Sequence, residues 1–250
     1  MTLSHALTDI LAMVDREFRR SLRSIDALMT SLLIPVSILL VFVVVFGGAI
    51  EQGGDYITYV VPGILILCTG FGSAGTAVSV AQDMQSGTIN RFKTLPIFGP
   101  SVLIGHVVAS VIRNLVASLL VMIVAFALGF RSDAGIGDWL MATGLLVLVI
   151  LAFTWLACLG GLVLSVDACN GINFVFLFLP YVSSGFVDPG TMPGWLQGFA
   201  KHQPFTPIIE TLRAAMTGSD TGSNAWQALA WLVGILIVSY LGATALYRRR

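Results

Sequence analysis

Charged residues make up only 10% of these 250 residues, against 56% hydrophobic, whereas a water-soluble domain carries about a quarter charged. With a mean hydropathy of +0.91, that deficit excludes an ordinary soluble domain and places the chain in a lipid bilayer. Lysine is nearly missing: Lys93 follows Phe92 and Lys201 follows Ala200. A nucleotide-binding P-loop needs a lysine directly after glycine to reach the phosphates, so hydrolysis by that route is excluded. No Asp or Glu falls inside any of the long apolar runs described below. Proton- or sodium-driven carriers place carboxylates or broken helices near mid-membrane, so an ion-coupled carrier is disfavoured. The three cysteines, Cys68, Cys158 and Cys169, are odd in number and sit in or beside apolar runs, which excludes a disulfide framework and reads as membrane-buried thiols. His5, His106 and His202 are far apart and no HxxxH or CxxC pair occurs, so no metal site is expected. A net charge of zero gives no bulk attraction for nucleic acid. Asp9, Asp15, Arg16, Glu17, Arg19, Arg20 and Arg23 occupy the region where a signal peptide would have its apolar core, so no cleaved signal peptide is expected.

What is present is apolar length. A helix needs about 20 apolar residues to cross the hydrocarbon core, and six runs qualify or nearly so: Leu28 to Ile50, Tyr59 to Val80, His106 to Phe130, Trp139 to Val166, Gly171 to Phe186 and Ala225 to Tyr247. The fifth is short and meets Pro and Gly, so it is expected to stop below the membrane surface. The reading is an all-α integral membrane protein of six transmembrane helices, with residues 1–27 as an interfacial helix and 28–250 as the bundle. In the first segment Leu3, Leu7, Ile10, Leu11, Val14, Phe18, Leu22 and Ile25 recur at helical spacing, with the charges mostly between them. That pattern suits a helix lying among lipid headgroups; packing on a soluble partner is the alternative. Arg16, Arg19, Arg20, Arg23, Arg91, Lys93 and Arg248 to Arg250 fall on one side of a six-span topology, and only Arg131, Lys201 and Arg213 on the other. Lys and Arg favour the cytoplasmic side, so both termini are expected in the cytoplasm of a multi-pass cell-membrane protein. The long loop before the last run then lies outside. It holds two short amphipathic stretches, around Trp195 to Phe199 and Ile208 to Met216, the first able to seat in the outer interface.

Several polar features carry candidate functions. The stretch QDMQSGTINRFKTLPIFGP, Gln82 to Pro100, is compact and basic between two spans. Ser86 or Thr88 is positioned to cap a short helix, Ile89 and Phe92 give it an apolar side, Arg91 and Lys93 a basic one, and Pro96 stops it. Such a helix would lie flat under the membrane and offer side chains to a cytosolic partner; a plain interfacial loop fits the spacing equally. Arg113 is the one charge within a span, either functional or snorkelling to phosphates. Thr69, Ser73, Ser118, Thr154, Asn173 and Ser183, with Phe174 and Phe178, are candidates for a substrate path, although Ser and Thr are also ordinary interhelical packing material. Asp167 beside Cys169 is the nearest approach to an intramembrane catalytic pair, and a helix end or tight turn is the simpler account. No catalytic residue is assigned.

At this point the residues resemble a known family. FGGAI closing the first run, VPGILI opening the second, RFKTLPI in the polar stretch, LGFR closing the third and VDPGTMPGWLQGFAKHQP after the fifth occur in the order found in ABC-2 type permeases, especially the daunorubicin/doxorubicin resistance permease subfamily. The resemblance covers nearly the whole chain. It implies a single ABC-2 type transmembrane domain, paired with a second permease subunit as homodimer or heterodimer and with two copies of a cytosolic ABC ATPase that binds ATP and Mg, this chain holding no cofactor itself. It implies that Gly87, Thr88, Ile89, Arg91, Phe92, Lys93 and Pro96 belong to a coupling helix seated in the ATPase, and that Pro193 to Met216 forms short extracellular helices over the exit. The cargo implied is an amphiphilic drug or lipid moved outward, with a lipid-linked glycan or polyketide-type lipid as an alternative. Where many relatives carry an acidic E...GT run, this chain has Gln82, Asp83, Met84, Gln85, Ser86, Gly87 and Thr88.

Overall fold

The structure, a computed structural model, describes residues 3–23, 25–47, 56–94 and 99–249. Every regular element in it is helical. Helix α1, Leu3–Arg23, precedes α2, Ile25–Leu40, which continues as a wider π-type stretch over Val41–Phe46. The last three residues of the first apolar run, 48–50, lie outside the described residues. Helix α3 runs Tyr56–Gln85, α4 Thr88–Lys93, α5 Ser101–Ala127 and α6 Ile136–Val163. Helix α7, Val166–Phe178, is prolonged by a 3-10 turn at Leu179–Val182. Two short helices, α8 (Gly194–His202) and α9 (Phe205–Thr217), come before α10, Asn224–Arg249.

Among the described residues four helices, α3, α5, α6 and α10, are long and apolar enough to cross a membrane, with shorter apolar helices at Leu32–Phe46 and Val166–Val182. The fifth run, expected at Gly171 to Phe186, is observed earlier in the chain, over Val166–Val182, and its regular α-helical part of 13 residues is about 20 Å long at 1.5 Å each. Pro180, lacking an N–H, then turns the chain. Asp167 occupies the first turn of α7, where Ser165 caps the helix by accepting from the Ala168 N–H. That is the helix-end role, and the thiol of Cys169 is buried and free.

Helix α3 is central, packed by α2, α5, α6, α7 and α9. Its apolar window is 78% buried against 17% for α10, which rests mainly on α6 and α9. Small residues explain the difference. Thr69, Ser73, Ala74 and Ala77 of α3 are fully buried, and small side chains let membrane helices approach closely. Gly63 is one of the close backbone approaches: a Cβ built there would lie 2.5 Å from the carbonyl oxygen of Gly185.

Each end of the bundle has a built corner. At one, the turn after α7 is fixed by Ser183, whose hydroxyl donates to Pro180 O (2.5 Å) and accepts from the Gly185 N–H (3.2 Å). Phe186 stacks on Tyr181 with ring centroids 4.4 Å apart, and the amide of Gln203 donates to Val182 O. Arg213 of α9 reaches across, donating to Tyr59 O at 3.1 and 3.0 Å and to Ser184 O at 2.6 Å. At the other end α1 lies along α5, and the last turn of α3, helix α4 and the end of α10 gather around the start of α5.

Candidate functional site

Helix α4 follows α3 after a two-residue turn. Gly87 makes that turn possible: at φ 72° it occupies the left-handed region, which costs glycine nothing. Neither Ser86 nor Thr88 caps α4, contrary to the sequence expectation; their hydroxyls lie 2.8 Å from each other instead. Thr94 closes the helix by donating its hydroxyl to Arg91 O. The direction of the apolar face also differs from expectation. Ile89 is wholly buried among Val80, Val102, Leu103, Val107 and Tyr247 of its own chain, so it anchors α4 and is not free to enter another groove. Phe92 is half-buried at the edge of that cluster, and Arg91 is exposed. Lys93 closes α4, with its side chain outside the described residues, as is Pro96 altogether.

Over Phe92 stands the guanidinium of Arg16 from α1, 4.9 Å from the ring centroid, a cation–π contact. Arg16 also donates to Glu17 Oε1 (2.7 Å) and Asp83 Oδ2 (3.2 Å). Arg20 donates to Asp83 Oδ1 (2.8 Å) and to the Gln82 amide oxygen (3.0 Å). Between the two carboxylates lies His106, with Nδ1 3.2 Å from Glu17 Oε2 and Nε2 3.3 Å from Asp83 Oδ2. The second approach is off the hydrogen-bonding axis, so it is a charge contact. Glu17, Asp83 and His106 are 6%, 4% and 3% exposed. Removing carboxylates from water costs several kcal/mol each unless partners offset it, so this cluster ties α1, α3 and α5 together only as a complete set.

Glu17, Asp83 and His106 each place one ligand atom within 4.8 Å of the others, a spacing suited to a metal ion and one that their separation along the chain concealed. Arg16 and Arg20, however, already donate to Glu17 Oε1 and to both oxygens of Asp83. A cation would have to displace two guanidiniums, so the donor set fits an ion-pair network better than a metal.

Arg113 does not snorkel. It turns toward α3 and α1, donating to Gly72 O (2.9 Å), Thr76 Oγ1 (3.1 Å) and Ser21 Oγ (3.5 Å). Nearby, the hydroxyl of Thr154 lies 3.2 Å from both Ser73 Oγ and Ser110 Oγ, and Asn114 donates to Ser110 O, so α3, α5 and α6 share a buried polar seam. Of the path candidates, Ser73 and Thr154 belong to that seam. Thr69 donates to Ile66 O of its own helix, and Ser118 is buried beside the Cys68 thiol. Ser183 lies in the turn after α7, while Phe174 and Phe178 are 62% and 60% exposed on α7. The side chain of Asn173 lies outside the described residues. Among the described residues, these candidates therefore do not converge on one cavity.

Helices of this length and composition, with an intramembrane polar seam and a charged corner at one end, define a multi-pass membrane protein. Residues 8–217 match the ABC-2 type transporter family, and the chain belongs to it. It is 30% identical over 221 residues to the "Daunorubicin resistance ABC transporter permease protein DrrB1" of Streptomyces coeruleorubidus, covering 86% of this chain and 74% of that one. It is 26% identical over 244 residues to the "Probable doxorubicin resistance ABC transporter permease protein DrrC" of Mycobacterium tuberculosis, covering 96% and 88%.

Proposed function

We propose that this chain is the membrane-spanning permease subunit of an ATP-driven exporter that moves an amphiphilic drug or lipid outward, working with two copies of a separate cytosolic ATPase and with a second permease subunit. The names of its relatives support the cargo class, and the lack of a P-loop lysine supports a separate motor. The observation that carries the reading is helix α4: Ile89 anchors it to the bundle, while Arg91 and the open side of Phe92 face outward at the end of the bundle richest in arginine. Gly87 and Thr88 start this coupling helix, Lys93 closes it, and Pro96 lies just beyond. ATP and Mg belong to the partner ATPase.

In this reading the chain spans a bacterial plasma membrane six times as one domain with both termini inside. Leu7, Leu11 and Phe18 of α1, exposed at 55%, 66% and 40%, rest in the inner headgroup layer. Trp195 and Phe199 of α8, both exposed, seat in the outer one. Exposed Phe174 and Phe178 are the path candidates open to cargo or to the second permease, and the hydroxyls of Ser73 and Thr154 serve packing. Two results test the proposal. The purified chain should hydrolyse no ATP until the ATPase is added, and activity of the lone chain after contaminant controls would refute it. Phe92→Ala should weaken recovery of the ATPase complex by about thirtyfold, the effect of removing a well-packed aromatic worth about 2 kcal/mol. Normal complex recovery and export at matched expression would move the coupling role away from α4.

A further inference from the structure

Between the start of α5 and the end of α10 lies an open groove of about 270 Å³, lined by Gly99, Pro100, Leu103, Thr244, Tyr247 and Arg248. Its floor is apolar: Leu103 and Tyr247 are buried and belong to the cluster that also holds Ile89 of α4. Its rim is cationic. Arg248 is exposed, no carboxylate pairs with it among the described residues, and none of the lining residues is acidic. Thr244 spends its hydroxyl on the carbonyls of Tyr240 and Leu241 in its own helix, so it shapes the wall without adding a second donor.

The helix ends agree with that sign. Helix α5 begins after Pro100 with no side-chain cap and no acidic residue in its first turn, which leaves the positive end of its dipole unopposed. The carbonyl end of α10 carries about half a negative charge, and Arg248 and Arg249 in its last turn outweigh it. The groove therefore favours an anion.

The surface leading away from the groove says what kind of anion. Residues spaced three and four apart share one face of a helix, and Arg248, Thr244, Leu241 and Ile237 follow that spacing along α10. Leu241 and Ile237 are 58% and 52% exposed. One strip thus runs from a guanidinium through the groove onto bare apolar surface. Helix α10, at 26 residues, is longer than the hydrocarbon core is thick, so its last residues overhang into the headgroup layer. Arg248 stands at headgroup depth and Leu241 at acyl-chain depth. A small soluble anion would use the rim alone, whereas an amphiphile with an anionic head matches the whole strip.

We propose that this groove binds the headgroup of an anionic phospholipid, with Arg248 on its phosphate and an acyl chain along Thr244, Leu241 and Ile237. The lipid fills the wedge between α5 and α10 and gives α10 a support beyond α6 and α9. The site stands on the groove and the strip; its assignment to the inner leaflet rests on the topology proposed above.

The test is native mass spectrometry of the full chain in detergent containing equal amounts of palmitoyl-oleoyl phosphatidylglycerol and phosphatidylcholine. The parent should retain phosphatidylglycerol in preference, and Arg248→Gln should cut that preference about fivefold, the factor for one basic residue at an anionic membrane surface. Arg249→Gln, which removes the neighbouring charge outside the lining, should leave most of the preference. Thr244→Trp fills the groove while keeping both arginines, and should abolish it. No preference in the parent overturns the proposal, as does its survival in Thr244→Trp. Equal losses from the two arginine variants overturn it too, because attraction would then be diffuse, and so does displacement of the lipid by inorganic phosphate, which would make the occupant a free anion. Orientation is read separately: a membrane-impermeant thiol reagent added to intact cells should not reach Arg249→Cys. If it does while the purified chain still retains the lipid, the site stands and the topology fails.

Discussion

Gly63→Ala is expected to cost this chain most of its folded yield although it adds a single methyl group. The new Cβ would meet three backbone atoms of Gly185, the carbonyl oxygen at 2.5 Å, Cα at 2.8 Å and the carbonyl carbon at 2.9 Å. Backbone cannot rotate aside as a side chain can. The turn has no room to retreat either, because a Cβ at Gly185 would already be 3.0 Å from Pro180 O. Overpacking of this kind costs about 3 kcal/mol. A dye that fluoresces on reacting with thiols suits the measurement, since Cys68, Cys158 and Cys169 are all buried and become reactive only on unfolding. The variant should unfold at a clearly lower temperature than the parent in the same detergent. Coincident melting curves would show that α3 and the turn after α7 do not meet so closely.

The second large effect concerns the same corner from the opposite side. Arg213 is the donor to the carbonyls of both Tyr59 and Ser184, it pairs with Glu210, and its guanidinium lies 3.8 Å over the Tyr59 ring. Arg213→Ala leaves those carbonyls without their charged donor, and each such bond contributes about 1.5 to 3 kcal/mol. Helix α9 should then part from α3 far more often. A Ser184→Cys reporter, buried in the intact corner, should react with a small thiol reagent about a hundredfold faster when combined with Arg213→Ala. Arg213→Lys should recover only part of the protection, because an ammonium cannot hold two carbonyls in the fork of a guanidinium. Equal labelling rates for all three would mean that the cap is held elsewhere.

Much of the architecture was legible because membrane insertion imposes a length rule that sequence obeys openly. The run expected at Tyr59 to Val80 lies inside α3 and that at Trp139 to Val166 overlaps α6 within three residues at each end, whereas the fifth, expected at Gly171 to Phe186, begins and ends earlier because Ser165 caps its start and Pro180 turns the chain. Side-chain partnerships were less visible. Ile89 and Phe92, three apart, define a face of α4, but which body covers that face depends on Val102, Leu103 and Tyr247 from distant parts of the chain. The charged corner joins residues 17, 83 and 106, and no local periodicity links them. One signal was available: Glu17 follows Ile10 and Val14 at helical spacing, so it sits in the middle of the apolar stripe of α1. A carboxylate there demands a partner across the interface, and His106 of α5 supplies it, with Arg16 alongside on α1 itself. The stripe is in fact divided, with Ile10, Met13, Val14 and Glu17 turned toward the bundle and Leu7, Leu11 and Phe18 left open.

The loose attachment of α10 gives the membrane itself a hand on this protein. A helix of 26 residues is about 39 Å long, against a hydrocarbon thickness of about 30 Å, and such a mismatch is relieved by tilting. Held along one side by α6 and α9, α10 leaves most of its remaining surface open to lipid. Because it rests on α9, the helix that Arg213 fastens to α3, a thinner or thicker bilayer leans directly on that fastening. Acyl-chain length thereby becomes a setting of the molecule, adjustable without changing a residue.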